Sequence, residues 1–439
     1  MGSYLPSTKQ ERQQMLEAMG YSSMDQLYAD VPDSVMLKEP LQIPAGISEL
    51  ELRQQMSAMG GKNTVFPVVL RGAGAYDHFI PAIVGSVTSR EEFSTTYTPY
   101  QAEISQGVLQ SIFEYQSMIC ELTGMDVSNA SLYDGASAAA EAAMMCLDRR
   151  RDKVLVAATA HPEVIETVRT YCWGRDLEMH VVPEKNGRID ADSLSNLLDE
   201  KTACFYFAQP NFYGLMEDAQ ALIDAVHAGG AKAIMGVNPI SLGLLKTPGE
   251  YGADIAVGEG QPLGMPLSYG GPYLGFLAAK RELTRLLPGR VVGQTQDAQG
   301  RRAFVLTLQA REQHIRREKA GSNVCSNQAL CAMTAAVYMA AMGPGGIRQA
   351  AELCYQKAHY FQQELCKLPG FELVHQGDYF HEFVTTCPID AKTLEKKLME
   401  RGILPGLVVN GSMLWCVTEK QTKQTLDAVI RTVKEVCAQ

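Results

Sequence analysis

Residues Val154–Gly174 read VLVAATAHPEVIETVRTYCWG, a short apolar strand followed by a helical segment. The same order recurs downstream. EMHVV (178–182) precedes a helix around Asp192–Asp199, and ACFYFAQ (203–209) precedes a helix at Glu217–Ala228. KAIMGV (232–237), DIAV (254–257) and YLGFLAA (273–279) supply further strands. Strands alternating with helices predict a mostly parallel sheet with helices on both faces, because parallel neighbours need a crossover longer than a hairpin. The crossovers are expected to be right-handed. A large α/β domain over 66–320 accounts for this stretch.

The pattern changes on either side. After Arg311, long helices at Asn327–Met342 and Gly346–Leu365 precede short strands at FELVH (371–375) and HEFVT (381–385). A helix in KTLEKKLMERG (392–402), a strand near SMLWCVT (412–418) and a helix in KQTKQTLDAVIRTVKEV (420–436) close the chain. These predict a smaller α+β domain over 321–439. Residues 1–65 read as a helical extension. MLEAMGYSSMDQLYADVP (15–32) suggests two short helices, and LKEPLQIPAGISELELRQQM (37–56) a Pro-rich connector and a third. Such an extension is expected to wrap the main domain or another subunit rather than to form its own core. No short-period repeat interrupts the chain.

With 439 residues and 46% hydrophobic content, a substantial core is possible. The formal net charge of −10 argues against a nucleic-acid surface, which needs clustered Lys and Arg. The basic run Arg311–Lys319 is broken by Glu312, Gln313 and Glu318. The eleven cysteines never form CxxC, which fits a reducing compartment. No zinc-ligand spacing appears, and no metal is expected. Met1–Gln14 is polar without an apolar signal core, and no apolar run reaches membrane-spanning length. A cytoplasmic protein with neither nucleic-acid nor membrane partners is expected.

Tyr97–Ala142 bears most directly on function. It holds an aromatic loop, YTPYQ, then a helix carrying Ile112, Phe113, Tyr115, Met118, Ile119 and Leu122, then a turn, Tyr133-Asp134-Gly135, opening an Ala-rich helix. Free N–H groups at such a helix start can approach an anion, although plain packing uses the same small residues. The words themselves are more specific. They resemble the glycine cleavage P protein family, a pyridoxal-phosphate glycine decarboxylase, and within it the N-terminal half that many bacteria make as a separate subunit 1. The resemblance runs through YLPSTKQERQQMLEAMG (4–20), GAGAYDHFIP (72–81), GEGQPLGMPLSYGGPYLG (258–275) and REQHIRREKAGSNVCSNQAL (311–330). One departure is Gly321, where the family's REKATSN has Thr. The resemblance implies the aspartate-aminotransferase-like architecture, fold type I of the pyridoxal-phosphate transferases.

The family's other half carries the cofactor, and its words can be laid on this chain. Its lysine word resembles HKTFSxPHGGGGPG. Aligning Pro266 and Gly270–Pro272 puts Gln261 at the Schiff-base position, and an amide nitrogen is not a nucleophile at neutral pH. Its pyridine-partner word resembles DGANLNA, which puts Met235 at the acid's place. Its stacking-histidine word resembles AAGAHGE, which puts Ser137 at the histidine. All three departures point to a vestigial site without cofactor in this chain. The remaining lysine candidates are Lys232, Lys246 and Lys280, each at an expected solvent end of an element.

The resemblance implies subunit 1 of a glycine decarboxylase. Subunit 2 would hold pyridoxal phosphate, and the lipoyl group of H protein would accept the aminomethyl group. The implied assembly is an α2β2 heterotetramer. Candidate residues for a shared site are Tyr76 and His78 in the AYDH loop, with Asp77 between them, and Tyr97, Thr98, Tyr100 and Gln101 in the TPYQ loop. Arg311–Lys319 is a candidate partner-facing segment. The rival reading is an autonomous pyridoxal-phosphate aminotransferase or lyase, which requires a reactive Lys and an acid at the pyridine nitrogen.

Overall fold

The computed structural model describes residues 7–39 and 41–438, in two compact units, Met1–Thr64 and Val65–Gln439. The first six residues of the extension, Pro40 of its connector and the terminal Gln439 lie outside the described residues. In the first unit, helices cover Lys9–Ala18 and Glu49–Gly60, with a 3-10 turn at Met24–Tyr28. Thr8 with Glu11, and Ser48 with Glu51, form reciprocal capping boxes that fix where the two helices start.

The second unit is built on a seven-stranded sheet. Its strands are β1 Val127–Ser128, β2 Lys153–Ala157, β3 Glu178–Val182, β4 Thr202–Gln209, β5 Lys232–Val237, β6 Ile255–Glu259 and β7 Gly275–Ala279. The order is β1-β7-β6-β5-β4-β2-β3. The strands β2 to β6 pair in parallel, and β7 runs antiparallel to β6 and β1. The sheet is thus mostly parallel, as the alternating sequence implies.

Alternate residues of each strand feed opposite layers. Phe205, Phe207, Ala233, Met235 and Ala256 enter one core with Tyr115 and Ile119 of helix α1 (Gln106–Thr123). Cys204, Tyr206, Ile234 and Val257 enter the other, with helices α2 (Gly135–Met145) and α3 (Pro162–Trp173). Helix α4 (Ala219–Ala228) covers the first face through Leu222, Ile223 and Val226. Both faces are covered, which is why the strands read as continuous apolar runs.

Helix α5 spans Ala329–Leu365 and turns at Gly343 (φ 60°, ψ 177°) and Pro344, where the sequence separates two helices. Its first half packs Cys331, Ala335 and Tyr338 under the sheet, and its second half carries Phe361 and Leu365 into the C-terminal core. The expected boundary at 320/321 therefore does not separate the cores; they meet within α5. By length and composition this helix alone among those described could cross a membrane, but its buried residues serve these two cores.

The C-terminal layer is a three-stranded antiparallel sheet of β8 (Glu382–Thr385), β10 (Ser412–Cys416) and β9 (Leu407–Val409) in that order. Helices α6 (Ala391–Met399) and α7 (Lys423–Cys437) cover it, with Trp415, Leu394, Leu426 and Val433 buried between them. Val68–Val69 pairs in parallel with Ile403–Leu404, which brings the following Ala73–His78 loop to this layer. The strand expected at FELVH is only an isolated bridge, Leu373 to Thr385. There the Glu372 N–H donates to Thr386 Oγ1 instead of a backbone carbonyl. An antiparallel hairpin not anticipated from the sequence joins Val291–Gln296 to Arg302–Thr307.

Candidate functional site

The carboxyl ends of β4, β5 and β6 open into a cavity of about 720 Å3, where ligands bind in open α/β sheets. Asp134–Ala136 at the start of α2 form one wall, and His161 and Glu163 at the start of α3 another. The Ala73–Tyr76 loop and Glu382 of β8 complete it. Among the described residues no lysine or arginine lines it, whereas Asp134, Glu163, Glu259 and Glu382 do.

The start of α2 is closed by the chain's own carboxylates. Asp134 Oδ1 accepts the Ser137 N–H at 2.7 Å, and Glu259 Oε2 accepts the Gly135 N–H at 3.0 Å. Glu259 Oε1 also accepts from Gln261 N and Leu274 N, each at 2.9 Å. A Cβ at position 135 would lie 2.8 Å from the Glu259 nitrogen, so only glycine allows this approach. Burial raises the Glu259 carboxyl to about 7 despite its three N–H donors.

Gln261 is buried, and its amide is fully engaged. Nε2 donates to Tyr76 O at 2.9 Å and Met265 O at 2.7 Å, while Oε1 accepts the Tyr76 N–H at 2.8 Å. Met235 is fully enclosed in the core, and Ser137 sits in the first turn of α2. None of these three residues is among those lining the cavity. Lys246 bonds Gln220 at 3.2 Å and Lys280 bonds Asp254 at 2.8 Å. Lys232 begins β5, at the end opposite the cavity. The residues present do not fit pyridoxal phosphate: there is no amine at the wall, no acid at Met235, and carboxylates already hold the helix start that would take a phosphate.

The AYDH loop is anchored rather than free. Tyr76 lines the cavity and donates from its hydroxyl to Glu382 Oε2 at 2.8 Å, and Ala73 N donates to Glu382 Oε1 at 2.7 Å. Burial raises the Glu382 carboxyl to about 7. Asp77 pairs with Lys420 at 2.7 Å. His78 is buried and does not reach the cavity; its Nδ1 lies 2.7 Å from Glu419 Oε2, and Cys354 Sγ donates to the same oxygen at 3.3 Å. Burial alone would raise Glu419, but the bond to His78 brings it down to about 2. His78, Cys354 and Glu419 form a group that no spacing in the sequence signals, and the hydrogen bonds of the buried His78 and Cys354 to Glu419 account for it.

The TPYQ loop lies elsewhere on the unit. Tyr97 is 91% exposed, with its hydroxyl 3.3 Å from Ser326 Oγ. Thr98 O accepts the Tyr100 N–H at 2.9 Å, and Gln101 begins a 3-10 turn. Tyr100 Oη accepts from Arg290 Nη2 at 3.2 Å. None of these four residues lines the cavity, but Gln328, close along the chain to Ser326, does. In the Arg311–Lys319 segment, Arg311 donates to Leu287 O, Glu312 is buried, and Arg316, Arg317 and Lys319 are exposed. Sequence reasoning missed Glu259, Glu382 and Arg290. Only Glu259 stood inside a distinctive word, GEGQ.

A family model described as the glycine cleavage system P-protein matches residues 2–433. A protein of Desulforamulus reducens named probable glycine dehydrogenase (decarboxylating) subunit 1 is 51% identical over 97% of this chain and 97% of its own. A crystal structure of glycine decarboxylase (P-protein) of the glycine cleavage system, in inhibitor-bound form, is 39% identical, with a TM-score of 0.94 over 99% of this chain and 100% of its own. Glutamate decarboxylase of Lactobacillus brevis shares the fold at 13% identity, with a TM-score of 0.69 over 94% of this chain and 97% of its own. The architecture is thus the fold type I of pyridoxal-phosphate enzymes, and the chain belongs to the glycine cleavage system P-protein family.

Proposed function

We propose that this chain is subunit 1 of a cytoplasmic glycine dehydrogenase (decarboxylating) and works only with subunit 2. The observation that carries this is Gln261. In a chain that matches its relatives over nearly all of its length, the residue at the expected Schiff-base position is a buried amide whose hydrogen bonds hold backbone. The chemistry would then belong to the partner, where pyridoxal phosphate held by subunit 2 would supply the electron sink for glycine decarboxylation. The aminomethyl group passes to the oxidised lipoyl group of H protein. The proposed assembly is an α2β2 heterotetramer, with residues 1–65 holding subunits together and Arg311–Lys319 facing a partner.

This chain's share of the site is Tyr76, His78, Tyr97, Thr98, Tyr100 and Gln101. The exposed Tyr97 and Tyr100 are suited to meet substrate groups, and His78 to hold the AYDH loop in place through Glu419. The eleven free thiols support a reducing compartment. Each subunit would be assayed alone and together for glycine–CO2 exchange. Exchange is expected only from the pair, and full exchange from this chain alone would overturn the proposal.

A further inference from the structure

Arg290 is 3% exposed at the entry to the Val291–Gln296 strand. Its backbone is fixed: its carbonyl accepts the Ala130 N–H at 2.8 Å, and the neighbouring Pro288 carbonyl accepts from Asn129 Nδ2 at 3.0 Å. The side chain reaches two ways. Nη1 donates to Asn327 Oδ1 at 3.1 Å, and Nη2 to Tyr100 Oη at 3.2 Å. Asn327 Nδ2 in turn donates to Ser131 Oγ at 2.7 Å. The guanidinium carbon lies 5.3 Å from the Tyr100 ring centre, and the His314 ring packs 5.7 Å from the same ring. Burial raises the carboxyl of nearby Glu312, and the charges of Arg290, His314 and Arg311 oppose that rise.

A buried guanidinium persists only where hydrogen bonds and an opposite charge offset its lost hydration. Here Nε is left without a partner among the described residues, and the two terminal nitrogens end on Asn327 and on Tyr100, which is 48% exposed. A guanidinium has no acceptor, so it can only occupy a lone pair of the phenol oxygen. The phenol's proton is left as its free hydrogen-bonding function. The planar fork also fixes direction, which a point charge does not.

We infer that Arg290 is a positioning residue: bridging Asn327 and Tyr100, it presents the Tyr100 hydroxyl as a hydrogen-bond donor to the site completed by subunit 2. This rests on the reading that the TPYQ loop borders that site. Arg290 acts through Tyr100 and touches no reacting atom.

The test is a double-mutant cycle on the complex reconstituted with subunit 2, reading kcat and KM for glycine–CO2 exchange. Tyr100→Phe and Arg290→Gln are each expected to lower kcat by on the order of 10²-fold with little change in KM. The double variant is expected to be no slower than the slower single one, because both changes remove one interaction. Arg290→Lys keeps the buried charge beside Glu312, so the same cycle can be run where Arg290→Gln does not fold; it is expected to lie between wild type and Arg290→Gln. Additive losses, or wild-type kcat in both Arg290 variants beside an impaired Tyr100→Phe, would overturn the positioning role and leave the loop reading standing. A wild-type rate in Tyr100→Phe would overturn both.

Discussion

Gln261 and Tyr76 are joined in both directions, the glutamine amide donating to the tyrosine carbonyl at 2.9 Å and accepting its N–H at 2.8 Å. The side chain at the expected position of the family's lysine thus secures the loop that closes the cavity.

Placing a lysine at this position is therefore expected to give no cofactor site. Gln261→Lys leaves the Tyr76 N–H without an acceptor and buries an ammonium, at a cost of about 2 kcal/mol or more. Urea unfolding would measure the loss. With pyridoxal phosphate added, neither wild type nor the variant is expected to yield a pyridoxyl-lysine after borohydride reduction and peptide mapping. Such an adduct on the wild-type chain would overturn the vestigial-site reading.

His78 and Tyr97 should behave differently, although the sequence nominates them together. His78→Ala removes one of the partners of the half-buried Glu419 carboxylate, which keeps the Phe79 N–H and the Cys354 thiol, and should lower stability by about 1–2 kcal/mol, a loss seen in the isolated chain. Tyr97→Phe changes only an exposed hydroxyl and should leave the isolated chain's melting temperature unaltered while slowing exchange in the complex with subunit 2. An unchanged exchange rate would make Tyr97 a surface residue with no part in the site.

The strands β2 to β6 could be read from sequence because parallel strands buried on both faces must be continuously apolar. The break at Gly343–Pro344 was readable for a local reason too, since it depends on two adjacent residues. The hairpin from Val291 to Thr307 is not legible because its first strand, VVGQTQ, turns polar after two residues, which leaves the apolar run AFVL of the second without an evident partner. FELVH was over-read because its apolar residues suggest pairing, whereas a threonine side chain takes the bond a ladder needs. In the site, motif comparison singled out Gln261. It was silent on Glu382 and Arg290, whose partners Tyr76 and Tyr100 lie 306 and 190 residues away. Such pairings arise only when the fold closes.

Glu259 is expected to resist even its closest neutral substitute. In Glu259→Gln one atom of the amide becomes a donor. The Leu274 and Gln261 N–H groups require the oxygen on one side, so the new NH2 faces the Gly135 N–H. Two opposed donors at the helix start should cost about 1–3 kcal/mol, read as a lower urea midpoint with unchanged m. An unchanged midpoint would show that Gly135 finds another acceptor.

Glu382 provides the contrasting case, and its effect depends on pH. Its carboxyl, ordinarily near 4.5, rises to about 7 because burial disfavours the charged form. For an acid whose folded value is raised, the native state binds more protons between those two values. Stability from this group is therefore fully present below about pH 4.5 and declines as pH rises through 7, by on the order of 3 kcal/mol for a shift of that size. Glu382→Gln should fit, because the amide oxygen can accept from Ala73 N while the NH2 donates to the Tyr76 hydroxyl. The variant cannot ionise, so its stability relative to wild type should climb across the same window and level off above it. Unfolding free energies of both chains at intervals from pH 5 to pH 8 give the difference directly, and other titrating groups cancel in it. A difference that stays flat would mean that Glu382 keeps an ordinary carboxyl in the folded chain.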